Sequence, residues 1–337
     1  MHKENIPGLS IAVVDHGEVV WAQGFGYRDV AKRLPVDADT QFQAGSISKP
    51  VTAVGVLRLK ESGQLDLDKD VNGYFKGWHL HSKWPDKPVT LRLLLCHRAG
   101  MVPHGFIGFR ETRHPPSLSE VLSRHYFLNG PVKVRYPPGA EFRYSGGGYC
   151  VIQKVMEDVT SEPFEEVMRK TLLEPLQMNR SQFQQPPLEQ ETGNTARGYG
   201  WMKTVAYGGR WGVFPPKAAA GLWTTPQDLA RFLVAVQRAK SGEAAGPISP
   251  ATAEQFLEPQ FDDSMGMGIF LDGEGDHRGF FHAGENLGYF ARFGAGVSNG
   301  HGWVIMTNAQ KDRFDPIVKA VAQEFGWITP NKEAQEG

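Results

Sequence analysis

Residues 43–63 read QAGSISKPVTAVGVLRLKESG. Two serines and a lysine stand directly before an apolar run in which Val51, Val54 and Leu57 recur at a spacing of three, as on a helix face. Gly63 is the stop expected of such a helix. Ser46 and Lys49 then lie three residues apart on one face, with their side chains close in space. Two readings compete. In the first, Ser46 caps the helix and Lys49 is a solvated charge, as in most chance Ser-x-x-Lys matches. In the second, Ser46 is a nucleophile at the positive helix end, where its own N–H can stabilise an oxyanion. Lys49 is then its base, since burial and the helix terminus both push a lysine toward the neutral form that can take the serine proton.

Working outward, residues 9–27 (LSIAVVDHGEVVWAQGFGY) read as two strands around a turn at His16-Gly17. Downstream, TLRLLLCHRAG (90–100) reads as a helix capped by Thr90 and ended by Gly100. GGYCVIQKVMEDVT (147–160) and TPQDLARFLVAVQRAK (225–240) read as the clearest helices, the latter with a Thr225 cap, Pro226 at its first position and Asp228 in its first turn. Strand patterns return at 278–284, 288–297 and 302–308, and a helix over 315–326 closes the chain. Strands at both ends with helices between them predict an α/β (α+β) fold: a largely antiparallel sheet, flanked by helices and completed by sequence-distant segments. Residues 1–50 and 256–337 would form a discontinuous sheet lobe, and 51–255 an inserted, mostly helical lobe carrying the active-site loops.

Composition narrows the function classes. The 337 residues carry 36 basic and 37 acidic side chains without a charged block, which gives no electrostatic reason to expect a nucleic-acid partner. No apolar run reaches the roughly 18 to 20 residues of a membrane span. The N-terminus has no signal-peptide order, so the chain as it stands reads as cytoplasmic, and as periplasmic or secreted if a leader has been removed. Cys96 and Cys150 are too few for a disulfide framework and are expected to be free. Among the eleven histidines, His79, His81, His97, His104 and His114 are scattered without metal-ligand spacing, and His97 is expected to cap carbonyls or pack at a helix end. There is no Gly-x-Ser-x-Gly elbow, and SGGGY (145–149) lacks the Lys-Ser/Thr of a P-loop.

Two further motifs choose between the readings of Ser46. PPGAEFRYSGGGY carries Tyr144-Ser145-Gly146, and FFHAGENLGYF carries His282-Ala283-Gly284 on a predicted strand. The order Ser-x-x-Lys, Tyr-Ser-x, His-x-Gly resembles the serine β-lactamase and penicillin-binding protein superfamily, in its branch of class C β-lactamases, D-aminopeptidases, D,D-peptidases and β-lactamase-like esterases. The resemblance covers nearly the whole chain, with supporting stretches in IPGLSIAVVDHGEVVWAQGFGYRD, VTLRLLLCHRAGM, LLEPLQMNRSQF and AAAGLWTTPQDLARFL. It implies a β-lactamase/transpeptidase-like fold with the site in a cleft between the lobes. Ser46 would be the acylated nucleophile, with Lys49 and Tyr144 sharing its proton. The backbone N–H groups of Ser46 and Glu285 would form the oxyanion hole, and Gly284 would give substrate access to the strand edge.

Departures from the family pattern bear on substrate. Its second motif often ends in Asn, whose amide would contact a substrate amide; here Gly146 stands there. Its third motif often begins with Lys, whose cation would hold a substrate carboxylate; here it is His282, mostly neutral near pH 7. Both favour neutral acyl substrates. The aromatic segment 199–216, with Tyr199, Trp201, Tyr207, Trp211 and Phe214, reads equally as packing and as a pocket wall, and Tyr207 and Trp211 are taken as candidate substrate contacts. MVPHGFIGFR (101–110) is a second possible rim. The expectation is a serine hydrolase forming an acyl-enzyme on a small-molecule ester or amide, without cofactor or metal. A carboxylesterase is preferred over a D-amino-acid peptidase or amidase or a weak β-lactamase. A catalytically silent ligand-binding relative is the alternative of another class, and oligomeric state is left open.

Overall fold

β1 (Gly8–Asp15) and β2 (Glu18–Asp29) form a hairpin. Its turn residues His16 and Gly17 both take positive φ, 50° and 71°, the geometry that matches the right-handed twist of the paired strands. β2 also pairs with the short β3 (Leu34–Pro35). The rest of the sheet comes from the far end of the chain: β4 (Phe270–Asp272), β5 (Gly279–Asn286), β6 (Tyr289–Gly296) and β7 (Gly302–Thr307). The two ends meet where β1 runs antiparallel to β7, with Leu9 opposite Thr307 and Val14 opposite Gly302. Every pairing is antiparallel, and the order is β4-β5-β6-β7-β1-β2-β3. This computed structural model describes residues 6–110, 115–123, 130–187, 193–200, 206, 211–243, 246–310, 312 and 314–327.

Side chains alternate across a strand, so the uninterrupted apolar run in β1 needs cover on both faces. Ala12 and Val14 enter the main core, where α4 (Pro226–Lys240) lies against β1, β2 and β7. Leu9, Ile11 and Val13 face the other way, toward Phe314 and Val321 of the C-terminal segment and its helix α5 (Asp315–Glu324).

The apolar run after Lys49 becomes α1 (Ser48–Glu61), buried on every side from Ser48 to Leu57. Arg58 and Lys60 occupy its last turn, where cations complement the helix dipole, and Gly63 follows at φ +78°. α4 begins at the Thr225 cap read from sequence, whose Oγ1 accepts from the Asp228 N–H at 3.1 Å, and α3 (Gly146–Thr160) begins at a cap the sequence reading does not name, Ser145, whose Oγ accepts from the Gly148 N–H at 3.0 Å. The helix expected over 90–100 is shorter. Thr90 caps α2 (Leu91–Leu95), but the helix stops at Leu95 because His97 and Gly100 turn left-handed, at φ +57° and +66°.

Packing is continuous across the two chain regions. One hydrophobic cluster runs from Ala12 and Val14 through Val51, Val54 and Leu57 to Val151 and Val155. Residues 226–240 lie on the sheet although they fall within the 51–255 stretch. Cys96 and Cys150 are buried and not bonded to each other. No helix among the described residues is long and apolar enough to cross a membrane.

Candidate active site

The two serines at the start of α1 do different work. Ser48 Oγ donates to Gly45 O at 2.6 Å and accepts from the Leu222 N–H at 3.0 Å, which ties the turn to the chain beside it. Ser46 lies in a single tight helical turn, Gly45–Ile47, and makes no capping hydrogen bond. Lys49 Nζ instead donates to Ser46 Oγ at 2.9 Å and to Ala219 O at 2.8 Å. Lys49 is 2% exposed. The capping-serine and solvated-lysine reading therefore fails: the hydroxyl engages the amine, and the amine is buried with two oxygen partners that offset its desolvation.

The turn is pressed against the edge of β5. A Cβ placed on Gly284 would sit 1.9 Å from Ala44 O and 2.8 Å from Ser46 N. A Cβ on Gly45, itself at φ +53°, would sit 2.6 Å from Glu285 N. Neither position accepts a side chain, and the backbone nitrogens of Ser46 and Glu285 flank this contact. Asn286, next on the strand, fastens it further: its Nδ2 donates to Gln43 Oε1 at 2.8 Å and to Ala220 O at 3.1 Å.

Tyr144 arrives from the loop before α3. Lys49 Nζ lies 4.9 Å from its ring centroid. The ring packs against two imidazoles, His97 with centroids 4.2 Å apart and the exposed His104 at 4.9 Å. The glycines that follow let the rim approach closely. Gly146 N–H donates to His104 O at 2.8 Å and Gly147 N–H to Pro103 O at 3.0 Å, while a Cβ on Gly147 would meet Val102 O at 2.3 Å. A Cβ on Gly146 would meet the Phe106 ring at 3.1 Å. The space beside Gly146, where a longer side chain would project, is thus bordered by an aromatic ring.

Ser46, Lys49, Tyr144, Gly146, His282, Gly284 and Glu285 all line one cavity of about 700 Å³. His104, Phe106, Ile107, Phe270, Phe281, Leu287 and Phe290 supply much of its wall. His282 is 1% exposed. Burial, reinforced by the Lys49 charge, lowers its pKa to about 3, so the ring is neutral at ordinary pH. Its Nδ1 faces Ala283 O at 2.7 Å and therefore carries the proton. His97 is also buried, and burial followed by the charge of Lys49 holds it well below the usual imidazole range. Of the charged side chains lining the cavity among the described residues, Lys49 is the cation and Glu285 the anion, its Oε1 accepting from Gln310 Nε2.

Trp211 does not line this cavity. It is 3% exposed and meets Trp223 edge to face at 5.5 Å, a packing role within the core. Tyr207, Trp201 and His114 lie outside the described residues. The 101–110 segment does form rim, through His104 to Ile107. Phe270, Asn286 and Gln310 carried no sequence signal of site membership. His97 reads from sequence only as a residue that caps carbonyls or packs at a helix end, and its place against Tyr144 carried no signal either. Among the described residues, no three His, Cys, Asp or Glu side chains group as metal ligands would.

A protein-family model described as Beta-lactamase matches residues 1–324. The chain is similar to Protein flp of Staphylococcus aureus strain MRSA252, at 26% identity over 191 residues, 55% of this chain and 36% of that protein. It therefore spans little more than a third of that relative's length. Among solved structures, the octameric penicillin-binding protein homologue from Pyrococcus abyssi has a TM-score of 0.74 at 26% identity, covering 97% of this chain and 75% of the other. A class C beta-lactamase has a TM-score of 0.75 at 19% identity, covering 98% and 94%, a likeness of fold alone.

Proposed function

The chain belongs to the beta-lactamase family, and from that membership and the geometry around Ser46 we propose that it is a serine hydrolase working through a covalent acyl-enzyme, with carboxylic esters as its substrates. The observation that carries the reading is the 2.9 Å hydrogen bond between Ser46 Oγ and buried Lys49 Nζ, at the wall of a cavity shared with Tyr144.

In the proposed reaction Ser46 Oγ attacks the substrate carbonyl carbon. Its proton passes to Lys49 Nζ, the base in direct contact, when that amine is neutral. The carbonyl oxygen becomes an oxyanion held by the N–H groups of Ser46 and Glu285. The tetrahedral intermediate collapses, the ester C–O bond breaks, and the proton goes on to the departing alkoxide. Lys49 and Tyr144 then take a proton from an attacking water, and the second tetrahedral intermediate releases the acid and returns the proton to Ser46. The 4.9 Å approach of Lys49 Nζ to the Tyr144 ring supports a part for the phenol in this proton path.

Three features support ester over amide or β-lactam. Gly146 offers no amide, and Phe106 borders the space where one would reach. His282 is held neutral, so it supplies no cation for a substrate carboxylate. Glu285 adds a carboxylate to the cavity, which repels one on the substrate.

A fluorophosphonate probe followed by peptide mapping tests the enzyme class: labelling confined to Ser46 is expected, and a folded protein that resists the probe is the silent relative instead. A panel of nitrophenyl esters, a chromogenic cephalosporin and D-amino-acid amides tests the substrate class. Turnover of the amides or the cephalosporin ahead of the esters would overturn the ester assignment and leave the acyl-enzyme chemistry standing.

A further inference from the structure

We propose that His97 is a positioning residue for Tyr144, holding the phenol against Lys49 by clamping the backbone on both sides of it and stacking on its ring. The proposal rests on the acyl-enzyme reading above and adds to it a residue that the Ser-x-x-Lys, Tyr-Ser-x and His-x-Gly motifs do not contain.

Three contacts converge on one residue. The Arg143 N–H donates to His97 O at 2.7 Å, and the Ser145 N–H donates to His97 Nδ1 at 3.1 Å. Between those two anchor points the Tyr144 ring lies 4.2 Å from the imidazole, tilted by 32°. The phenol is therefore fixed at the residue before it, the residue after it and its own face. Ser145 then caps α3 and donates through Oγ to Pro103 O at 3.1 Å, so the same short segment is also locked to the rim.

A histidine is a poor choice for this turn on local grounds. Its φ of +57° is a conformation that glycine and asparagine adopt more readily. Because Nδ1 accepts from Ser145, the ring proton must sit on Nε2, and that atom is buried without a hydrogen-bond partner among the described residues. Asparagine would remove the backbone strain, and phenylalanine would remove the unpaired donor. Histidine combines an acceptor for Ser145 with a flat ring for Tyr144, and both serve the phenol. The neutral state of the ring fits this role, since an imidazole that has given Nδ1 to the backbone and buried Nε2 is not placed to carry a proton through the cycle.

The test is a double-mutant cycle read by the rate at which a fluorophosphonate probe labels Ser46, a readout that requires no knowledge of the natural substrate. His97→Asn keeps an acceptor near Nδ1 and suits positive φ, but removes the ring. His97→Phe keeps the ring and removes the acceptor. Each is expected to slow labelling by about ten- to a hundredfold, the scale of a small misplacement of a catalytic group. Tyr144→Phe alone is expected to slow it by about a hundredfold. The deciding prediction is non-additivity: in the Tyr144→Phe background, neither His97 substitution slows labelling further. Thermal melts accompany each variant. Costs that multiply, a His97→Asn enzyme that labels at the wild-type rate, or a Tyr144→Phe enzyme that does so, would overturn the proposal. Loss of folding in both His97 variants would assign the residue to the core and overturn it as well. A wild type that fails to label removes the hydrolase reading and the proposal with it, whereas a labelled wild type with multiplying costs removes the proposal alone.

Discussion

Ser46 and Lys49 stand one helical turn apart, and their hydrogen bond is made possible by Ser48, which takes over the structural work of the turn. Ser46→Ala should therefore abolish turnover and probe labelling while leaving the thermal midpoint close to that of the wild type. A large fall in stability would mean that the hydroxyl has a packing role after all. Lys49→Ala removes the base and a buried cation together, and should cost about a thousandfold or more in kcat/KM; a loss under about tenfold would count against its role. His282 offers a test of substrate charge. Its ring is neutral and buried, so a lysine there should raise kcat/KM for carboxylate-bearing esters relative to neutral ones by roughly tenfold or more, through Coulomb attraction in a partly dry site. An unchanged ratio would remove His282 from the argument about substrate.

The contact between the β5 edge and the nucleophile turn is an element-scale device, and glycine is its enabling feature. Gly284→Ala would drive a methyl group into Ala44 O, against which it would sit at 1.9 Å. The turn has to move, and with it the Ser46 and Glu285 nitrogens, so probe labelling should fall by about a hundredfold and the thermal midpoint should drop with it. Labelling within a factor of two of the wild type would show that the strand edge does not set the site. The Gly146 position calls for paired substitutions. Gly146→Asn alone meets the Phe106 ring and His104 O, whereas Gly146→Asn with Phe106→Ala has room for the amide and should shift the amide-to-ester rate ratio upward on the substrate panel. These elements also show what a sequence discloses. α4 was legible because its cap is local, written in Thr225 three residues from the N–H group it satisfies, and α3 was legible from its helical pattern, whereas the Ser145 cap that starts it was not read. The hairpin was legible from His16-Gly17. The Ser46, Lys49 and Tyr144 positions were legible through short motifs. The end of α2 was not, because His97 turns left-handed to meet Arg143 and Ser145, more than forty residues downstream, and no local pattern records that contact. The sheet side of the cavity wall was hidden for the same reason: Phe270 and Phe281 read as ordinary apolar positions until the sheet brings them together, whereas Phe106 falls in the 101–110 stretch already read as a possible rim. Trp211 had the composition of a pocket wall but is packed on Trp223.

On the scale of the whole molecule, the sheet closes only when β1 pairs with β7, so the site is assembled from both ends of the chain and from the helices between them. That assembly buries His282 and His97 without charge, and pH-dependent stability follows. In the unfolded chain an imidazole titrates near 6.5, whereas His282 in the folded state waits until about pH 3. Above roughly pH 6.5 neither state binds the proton and the contribution is flat. Below it the unfolded chain takes up a proton that the folded protein refuses, so stability falls as pH falls, by up to about 1.4 kcal/mol per pH unit for each such histidine. By pH 4.5 His282 alone should cost roughly 3 kcal/mol, a large part of a typical stability of about 5–15 kcal/mol. Carboxylates held low, such as Asp68 beside Arg92 and Asp262 beside Ser264, lose their contribution only at lower pH. Burial acts in the opposite sense on Asp228, raising its pKa so that acid favours its folded form. The discriminating measurement is therefore a difference. Urea midpoints of the wild type and of His282→Gln, taken from pH 7.5 to pH 4.5, should diverge below pH 6.5, with the variant losing stability less steeply. Parallel curves would mean that the His282 ring is solvated and free to charge, and the neutral floor of the cavity would have to be abandoned.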